Sequence, residues 1–332
     1  MDSKEIFWQE QEEIKDWNGV EGLEAKLFPR RQQSAGRTEK RWIFRGERLI
    51  EKLEQQYFPK NGHPTSSVLQ EDNENEEYLE THLKRVFRLY GVEDRDKRKS
   101  ERELVRTFQR KAALYLEREP DKDDILEWLA IMRHRGAPTR LLDWTYSFYV
   151  AVYFALNANK QGVVWALDTS KATAELMESK IPNKSRYEKL KKYFNRKSDV
   201  LCIRKMGDKL TDPAIGCYLI EAKPPLLCVY PVNPFRLNKR LTVQQGLFLM
   251  PGDITKSFAD NLKATFGSSE KTKKYLLRVR IEPRTTKDRN EILRKLKDMN
   301  ISNEALFPGL DGFARSVGEG LAYPRPPGDR QV

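Results

Sequence analysis

The 332-residue chain is poor in the side chains that most often carry chemistry, with three histidines and three cysteines. Cys202, Cys217 and Cys228 are odd in number, show no CxxC spacing and have no histidine near them in sequence. That argues against both a disulfide framework and structural zinc, and predicts partly buried thiols beside strands. His63 falls in an acidic loop and His82 on a helical pattern, neither with a second ligand three or four residues away. A metal or nucleophile site would have to be assembled at long range around His134, and no metal is expected. Neither GxGxxG nor GxxxxGK[ST] occurs, so the usual glycine-rich phosphate cradles are missing. The longest apolar run, Tyr149 to Leu156, falls well short of the roughly 20 residues that span a bilayer. The opening MDSKEIFWQEQEEIKDW lacks the basic and apolar regions of a signal peptide. The expectation is a cytoplasmic protein without membrane contact.

What is present is enough apolar surface for a core, 39% hydrophobic and 10% aromatic residues, and a surplus of cations. Lys and Arg number 61 against 49 Asp and Glu, a formal charge of +12 that attracts nucleotides and nucleic acid. No repeat and no heptad is visible. Residues 1–40 contain amphipathic stretches ending in RRQQSAGRTEK and are expected to be an appendage. RWIFRGE then alternates as a first strand that Gly46 ends, and RLIEKLEQQYF follows at helical spacing. Residues 60–77 are an expected loop. LETHLKRVFRLY places Leu79, Leu83, Val86 and Leu89 or Tyr90 on one helical face, and ELVRTFQRKAALYLER repeats the spacing. The mixed charges between them, EDRDKRKSERE, predict a solvated surface. DKDDILEWLAIMRHRG predicts a helix with Ile125, Trp128, Leu129 and Met132 buried.

SFYVAVYFALNANK predicts a buried helix and GVVWALD a strand. AIGCYLIEA, PLLCVYPV, LTVQQGLFLM and YLLRVRIEP predict further strands, DRNEILRKLKDM a helix, and YPRPPGDRQV a disordered tail over 319–332. Helices first and strands later, with little βαβ alternation, point to an α+β fold, a helical half packed on a mixed or antiparallel split sheet.

Three places could carry chemistry. Arg45 stands beside Gly46, which would let a ligand approach the backbone; its guanidinium suits a phosphate, or it pairs with Glu47 or Glu51. RHRGAPTRLLDWTYS (133–147) turns sharply at Pro138. Within it Arg140 and Asp143, if buried, need each other or a ligand, and Asp143 is read as the partner of Arg140. Thr145 and Ser147 either present hydroxyls to one face or cap the helix beginning at Phe148. In RLTVQQGLFLMPGD, Gln244 and Gln245 on a strand would send one amide inward, to a ligand or to a buried partner. The segment SRYEKLKKYFNRK within 184–197 interleaves aromatics with cations, as a nucleic-acid surface or a solvated helix would. No carboxylate cluster suits a metal nuclease.

FRGE at 44–47, WLAIMRHRGAPTRLLDWTYSFYVAVYFAL, QQGLF at 244–248 and ISNEALFPGLDGFA at 301–314 together resemble the FRG domain family, which implies a domain over 41–318. The departures are Arg133 in place of a usual glutamine and Phe148 in place of a common proline. The family's members mostly have no assigned function and often lie in bacterial mobile or defence contexts. A second resemblance, to arginine-serine-glutamate ADP-ribosyltransferases, runs through Arg45–Gly46, Thr145-Tyr146-Ser147 and QQGLFLMPGD. It implies an ADP-ribosyltransferase-like fold that binds NAD and transfers or releases ADP-ribose, with nucleic acid as one acceptor. Arg45 and Gly46 would hold the NAD phosphates, Arg140, Asp143 and Gln244 would line the pocket, and Thr145 and Ser147 would shape the ribose site. His134 would stand at the entrance. Where that family has Glu-x-Glu this chain has Gln244, Gln245 and Gly246, and an amide supplies no negative charge. Glu304 is the expected substitute carboxylate, with Asp143 second, and Gln245 would hydrogen-bond the ribose. The alternative is a binding module for nucleic acid, or an effector, without catalysis.

Overall fold

A computed structural model of the chain describes residues 6–28, 42–49, 79–157, 160–171, 213–233 and 239–320, with isolated positions at 185, 188 and 189. Strands β1 (Gln9–Glu10), β2 (Trp42–Arg48), β3 (Leu142–Thr145), β4 (Gly162–Asp168), β5 (Val229–Val232), β6 (Gly246–Pro251) and β7 (Leu276–Ile281) form one mixed sheet. Their order is β1-β7-β4-β2-β3-β6-β5, antiparallel except between β1 and β7. The helices are α1 (Trp17–Leu27), α2 (His82–Leu89), α3 (Asp94–Ala112), α4 (Ile125–His134), α5 (Phe148–Leu156) and α6 (Pro213–Glu221). They continue with α7 (Lys239–Val243), α8 (Phe258–Phe266), α9 (Ser269–Lys273), α10 (Thr286–Asp298), α11 (Asn303–Leu306) and α12 (Leu310–Glu319). The fold class is α+β.

The sheet divides where β2 meets β3. β2 pairs with β4 from Trp42 to Arg48, but with β3 only at Phe44↔Thr145. Two half-sheets, β1-β7-β4-β2 and β3-β6-β5, therefore join through one residue pair and part on either side of it. Period-two alternation covers both faces. Trp42, Phe44, Val164 and Ala166 meet α1, α5 and α10 in one core, while Tyr230, Phe248 and Met250 meet α4 and α6 in a second. Ile43, Trp144, Val163, Trp165 and Leu249 line the opposite face, under Phe258 and Leu262 of α8.

Gly46 does not end β2, which continues to Arg48; it sits inside the strand because α5 lies directly on it. A Cβ on Gly46 would come within 2.0 Å of the Ala151 carbonyl, and one on Gly162 within 2.3 Å of that of Ala155. Two glycines on neighbouring strands and two fully buried alanines on the helix let backbone approach backbone. Ser147 starts α5, its Oγ accepting from the Val150 amide at 3.3 Å. Ser147→Ala should cost about 1 kcal/mol in urea denaturation; an unchanged midpoint would show that the cap contributes nothing.

Several expectations need correction. AIGCYLIEA lies in a helix, α6, since a short segment apolar on all sides has no period to separate helix from strand. Cys217 is thus on a helix, and burial pushes its thiol far above the usual range. Gln244 and Gln245 are not on a strand: α7 ends at Val243, Gln245 turns with φ +47°, and β6 begins at Gly246. Phe87, not Val86, Leu89 or Tyr90, joins Leu83 in the core, and Leu89 and Tyr90 are exposed. Helices are not confined to the first half, for α6 to α12 follow it. Nor are residues 6–28 an appendage, because β1 extends the sheet and Trp17, Val20, Leu23 and Leu27 of α1 enter the core. The helical pattern after Gly46's strand, the 60–77 loop, Cys202, nearly all of 184–197 and the tail beyond 320 lie outside the described residues.

Candidate functional site

Arg140 is not paired with Asp143. It is 1% exposed and reaches Glu101, itself 4% exposed, with Nε on Oε1 at 2.6 Å and Nη2 on Oε2. Its remaining nitrogen, Nη1, donates to the carbonyls of Pro251 and Gly252 at 3.3 and 3.4 Å. This bidentate pair ties α3 to the segment before β3 and to the end of β6. Glu101 belongs to the stretch expected to be solvated; it faces inward because α3 turns Glu101, Val105 and Ala112 to the core together. Arg98, one turn earlier, donates to the carbonyls of Ile220 and Ala222 at 2.9 and 2.7 Å, closing the end of α6.

Asp143 stands in β3 where the half-sheets part, and Arg133 of α4 grips its Oδ2 through both Nε, at 2.7 Å, and Nη2. Burial pushes the Asp143 carboxyl upward, but Arg133, Arg45 and Arg240 together hold it below the usual carboxylate range. His134 follows Arg133 at the end of α4. Desolvation first, then Arg240 and Arg135, lower its proton affinity, which Asp143 raises. His82 is lowered likewise, by burial and then by Arg133 and Arg85. Both histidines are neutral in the folded chain at pH values where the unfolded chain protonates them. Their stability contribution is complete above about pH 6.5 and is lost as pH falls from there toward their lower folded values. His134→Gln should flatten that acid limb of the urea midpoint against pH, and an unchanged limb would assign it elsewhere. Asp143 acts in a lower window, below about pH 3.9.

Arg45 lies on the other face. Alternation puts Arg45 and Glu47 with Ile43 and Trp165, whereas the Asp143 carboxylate is on the side of α4 and α7. Arg45 pairs with Glu47 at 2.8 Å and donates Nη1 to the Asp143 carbonyl at 2.8 Å, bridging the divided strands. Glu47 in turn accepts from Trp165 Nε1 at 2.9 Å. The space beside Gly46 is filled by α5. Thr145 donates Oγ1–H to the Gln244 carbonyl at 2.7 Å and accepts from the Ser147 amide at 3.0 Å. Gln244 donates its amide to the Leu306 carbonyl at 2.9 Å, and the Gln245 carbonyl accepts from the Tyr146 amide at 2.9 Å. Glu304 is exposed in the first turn of α11.

The structure therefore brings Asp143 and His134 together with Arg133 and Arg240, and commits Arg45, Arg140, Thr145, Ser147 and Gln244 to internal bonds. The cationic wall gains Arg240 and, on α12, Arg315, whose guanidiniums lie 4.6 and 5.5 Å from the centroid of the Phe307 ring. Sequence reading missed both arginines. Arg240 precedes the Gln-Gln-Gly segment by one helical turn, and Phe307 and Arg315 lie within or just past the 301–314 block. That adjacency was the available signal. Among the described residues no group of three or more His, Cys, Asp or Glu is placed to hold a metal ion, and no helix is long and apolar enough to cross a membrane.

Fold and site define an α+β protein in which a divided sheet, with helices on both faces, gathers a cluster of guanidiniums around Asp143 at the division. The family model of the FRG domain matches residues 40–163, from the edge of β2 to the start of β4, and the chain carries an FRG domain. No curated protein and no solved structure matches the chain.

Proposed function

We propose that this FRG-domain protein binds a phosphorylated nucleotide, NAD in the first instance, at the arginine cluster where the sheet divides, and that it transfers or releases ADP-ribose. The observation that supports the reading is the charge imbalance around Asp143. Arg133 already neutralises that carboxylate, yet Arg240, half-buried over the Phe307 ring, also acts on it electrostatically and has no ion pair among the described residues. A partly buried cation left over from internal pairing is what an anionic ligand satisfies. A phosphate that drew Arg133 away would leave Asp143 as the carboxylate facing the ribose. In this arrangement Asp143, rather than the exposed Glu304, supplies the negative charge that an oxocarbenium-like transition state needs. Incubation of the protein with adenylate-labelled NAD and a cell extract should place label in protein, nucleic acid or free ADP-ribose. No label in any fraction, with no NAD binding by calorimetry, would sink the reading.

One surface favours nucleic-acid contact as a second reading. Lys99, Arg102, Arg106 and Arg110 are exposed on α3 at spacings of three and four, which places them within a sector of about 80°. Arg102, Arg106 and Arg110 form no ion pair among the described residues. The segment 184–197, expected to serve this purpose, lies outside them. Reversing those three arginines to glutamate should lower the salt dependence of RNA or DNA binding by a slope of about 2 to 3. An unchanged slope would exclude this face.

A further inference from the structure

Arg240 and Arg315 come from different helices, α7 and α12, yet both are seated on one ring, that of Phe307. The two ring distances keep their guanidiniums within about 10 Å of each other. Neither has an ion pair among the described residues. The acid nearest in charge to Arg240, Asp143, is held by Arg133. Burial lowers the proton affinity of Arg240; Asp143 opposes that, while Arg133 and Arg315 add repulsion.

The ring itself is firmly placed. Gln244 binds the carbonyl of Leu306, joining the turn after α7 to α11. α12 packs so closely that a Cβ on Gly312 would come within 1.7 Å of the Phe307 carbonyl. At its far end Glu319 accepts from Tyr153 Oη and from the Asn303 side chain, the latter at 2.7 Å. The protein thus holds two like charges together on one ring, and among the described residues neither is neutralised by an ion pair. In water this costs Coulomb energy, and more where one partner is half-buried. A cation over an aromatic face offsets only part of that cost.

We propose that Arg240 and Arg315, spaced by Phe307, form a subsite for a dianionic phosphoryl group, either a pyrophosphate bridge or a terminal phosphate. The subsite rests on the nucleotide-binding reading and locates the ligand's phosphates within it. Two uncompensated guanidiniums match two negative charges, and the planar fork of arginine suits phosphoryl oxygens. Phe307 is a positioning residue, fixing the spacing without touching the phosphate.

The test is calorimetric titration of the full chain with ADP-ribose, inorganic pyrophosphate and orthophosphate, with circular dichroism melts to confirm folding. Arg240→Gln and Arg315→Gln should each weaken ADP-ribose and pyrophosphate binding about 10-fold. Phe307→Leu should weaken both several-fold, and Phe307→Tyr should restore wild-type affinity, which a purely structural role for the ring would not require. Tighter binding of pyrophosphate than of orthophosphate assigns the bridge, and the reverse assigns a terminal phosphate. If the doubly substituted, folded Arg240→Gln/Arg315→Gln protein binds ADP-ribose as the wild type does, the subsite is wrong and the nucleotide reading stands. If the wild type binds none of the three probes, both fall.

Discussion

Glu101→Ala is expected to destabilise the protein by about 3 to 5 kcal/mol, read as a lower urea midpoint. The substitution would strand the Arg140 guanidinium, 1% exposed, with only two long hydrogen bonds to the carbonyls of Pro251 and Gly252. An uncompensated charge at that depth has no route to water, because Arg140 is walled by α3, the segment before β3 and the end of β6. Arg140→Ala should cost a comparable amount by stranding Glu101. Replacing both, as in Glu101→Leu with Arg140→Met, should recover most of the loss, since the desolvation cost disappears with the charges. Were Glu101→Ala to leave the midpoint unchanged, the pairing of Glu101 with Arg140 would be refuted. Arg133→Ala gives a useful contrast. Its partner Asp143 keeps about half of its side-chain surface in water, so the stability loss should be much smaller and a ligand-binding defect more prominent.

Gly46→Ala is expected to cost about 3 kcal/mol or more, with a fall in soluble yield. Its Cβ would overlap the Ala151 carbonyl at 2.0 Å and the Ala155 amide at 2.7 Å, both backbone groups that no rotamer change can move. Overpacking of this kind is relieved only by shifting a whole helix, and α5 is pinned by Phe148, Val152 and Leu156 in the core. Gly22→Ala is the control: nothing lies within 4 Å of a Cβ there, and in the interior of α1 the change should be neutral or stabilising by up to about 1 kcal/mol. The pair also separates two roles for Gly46. A glycine kept for ligand approach would lose binding and keep stability when made alanine. One kept for helix approach loses stability first.

That contrast shows where reading the sequence stopped short. The Arg-Gly pair was legible as a place where backbone is approached closely, because glycine in a strand has few other uses. What approaches it, a helix 105 residues later, was not legible. The same limit applies to Arg140: a buried cation demands an acid, and Asp143 was three residues away. The acid that answers is Glu101, 39 residues earlier and inside a run of alternating charges that reads as surface. Only the helical phase of α3 against the core distinguishes it from Glu103, which is exposed. Gln244 and Gln245 stood out beside Gly246, but a strand was expected where the chain turns, with Gln245 at φ +47°.

Local periodicity and composition determined the strands β2, β4 and β7, the buried helix α5, the α+β class and the cationic character of the surface. Those properties depend on neighbours within a few residues, and hydrophobic alternation records them directly. Tertiary structure alone decided which charge meets which, because ion pairs join residues 10, 39 or 268 positions apart and any acid in the chain is chemically eligible. It also decided that two arginines from separate helices share the ring of Phe307, at the place where the sheet divides.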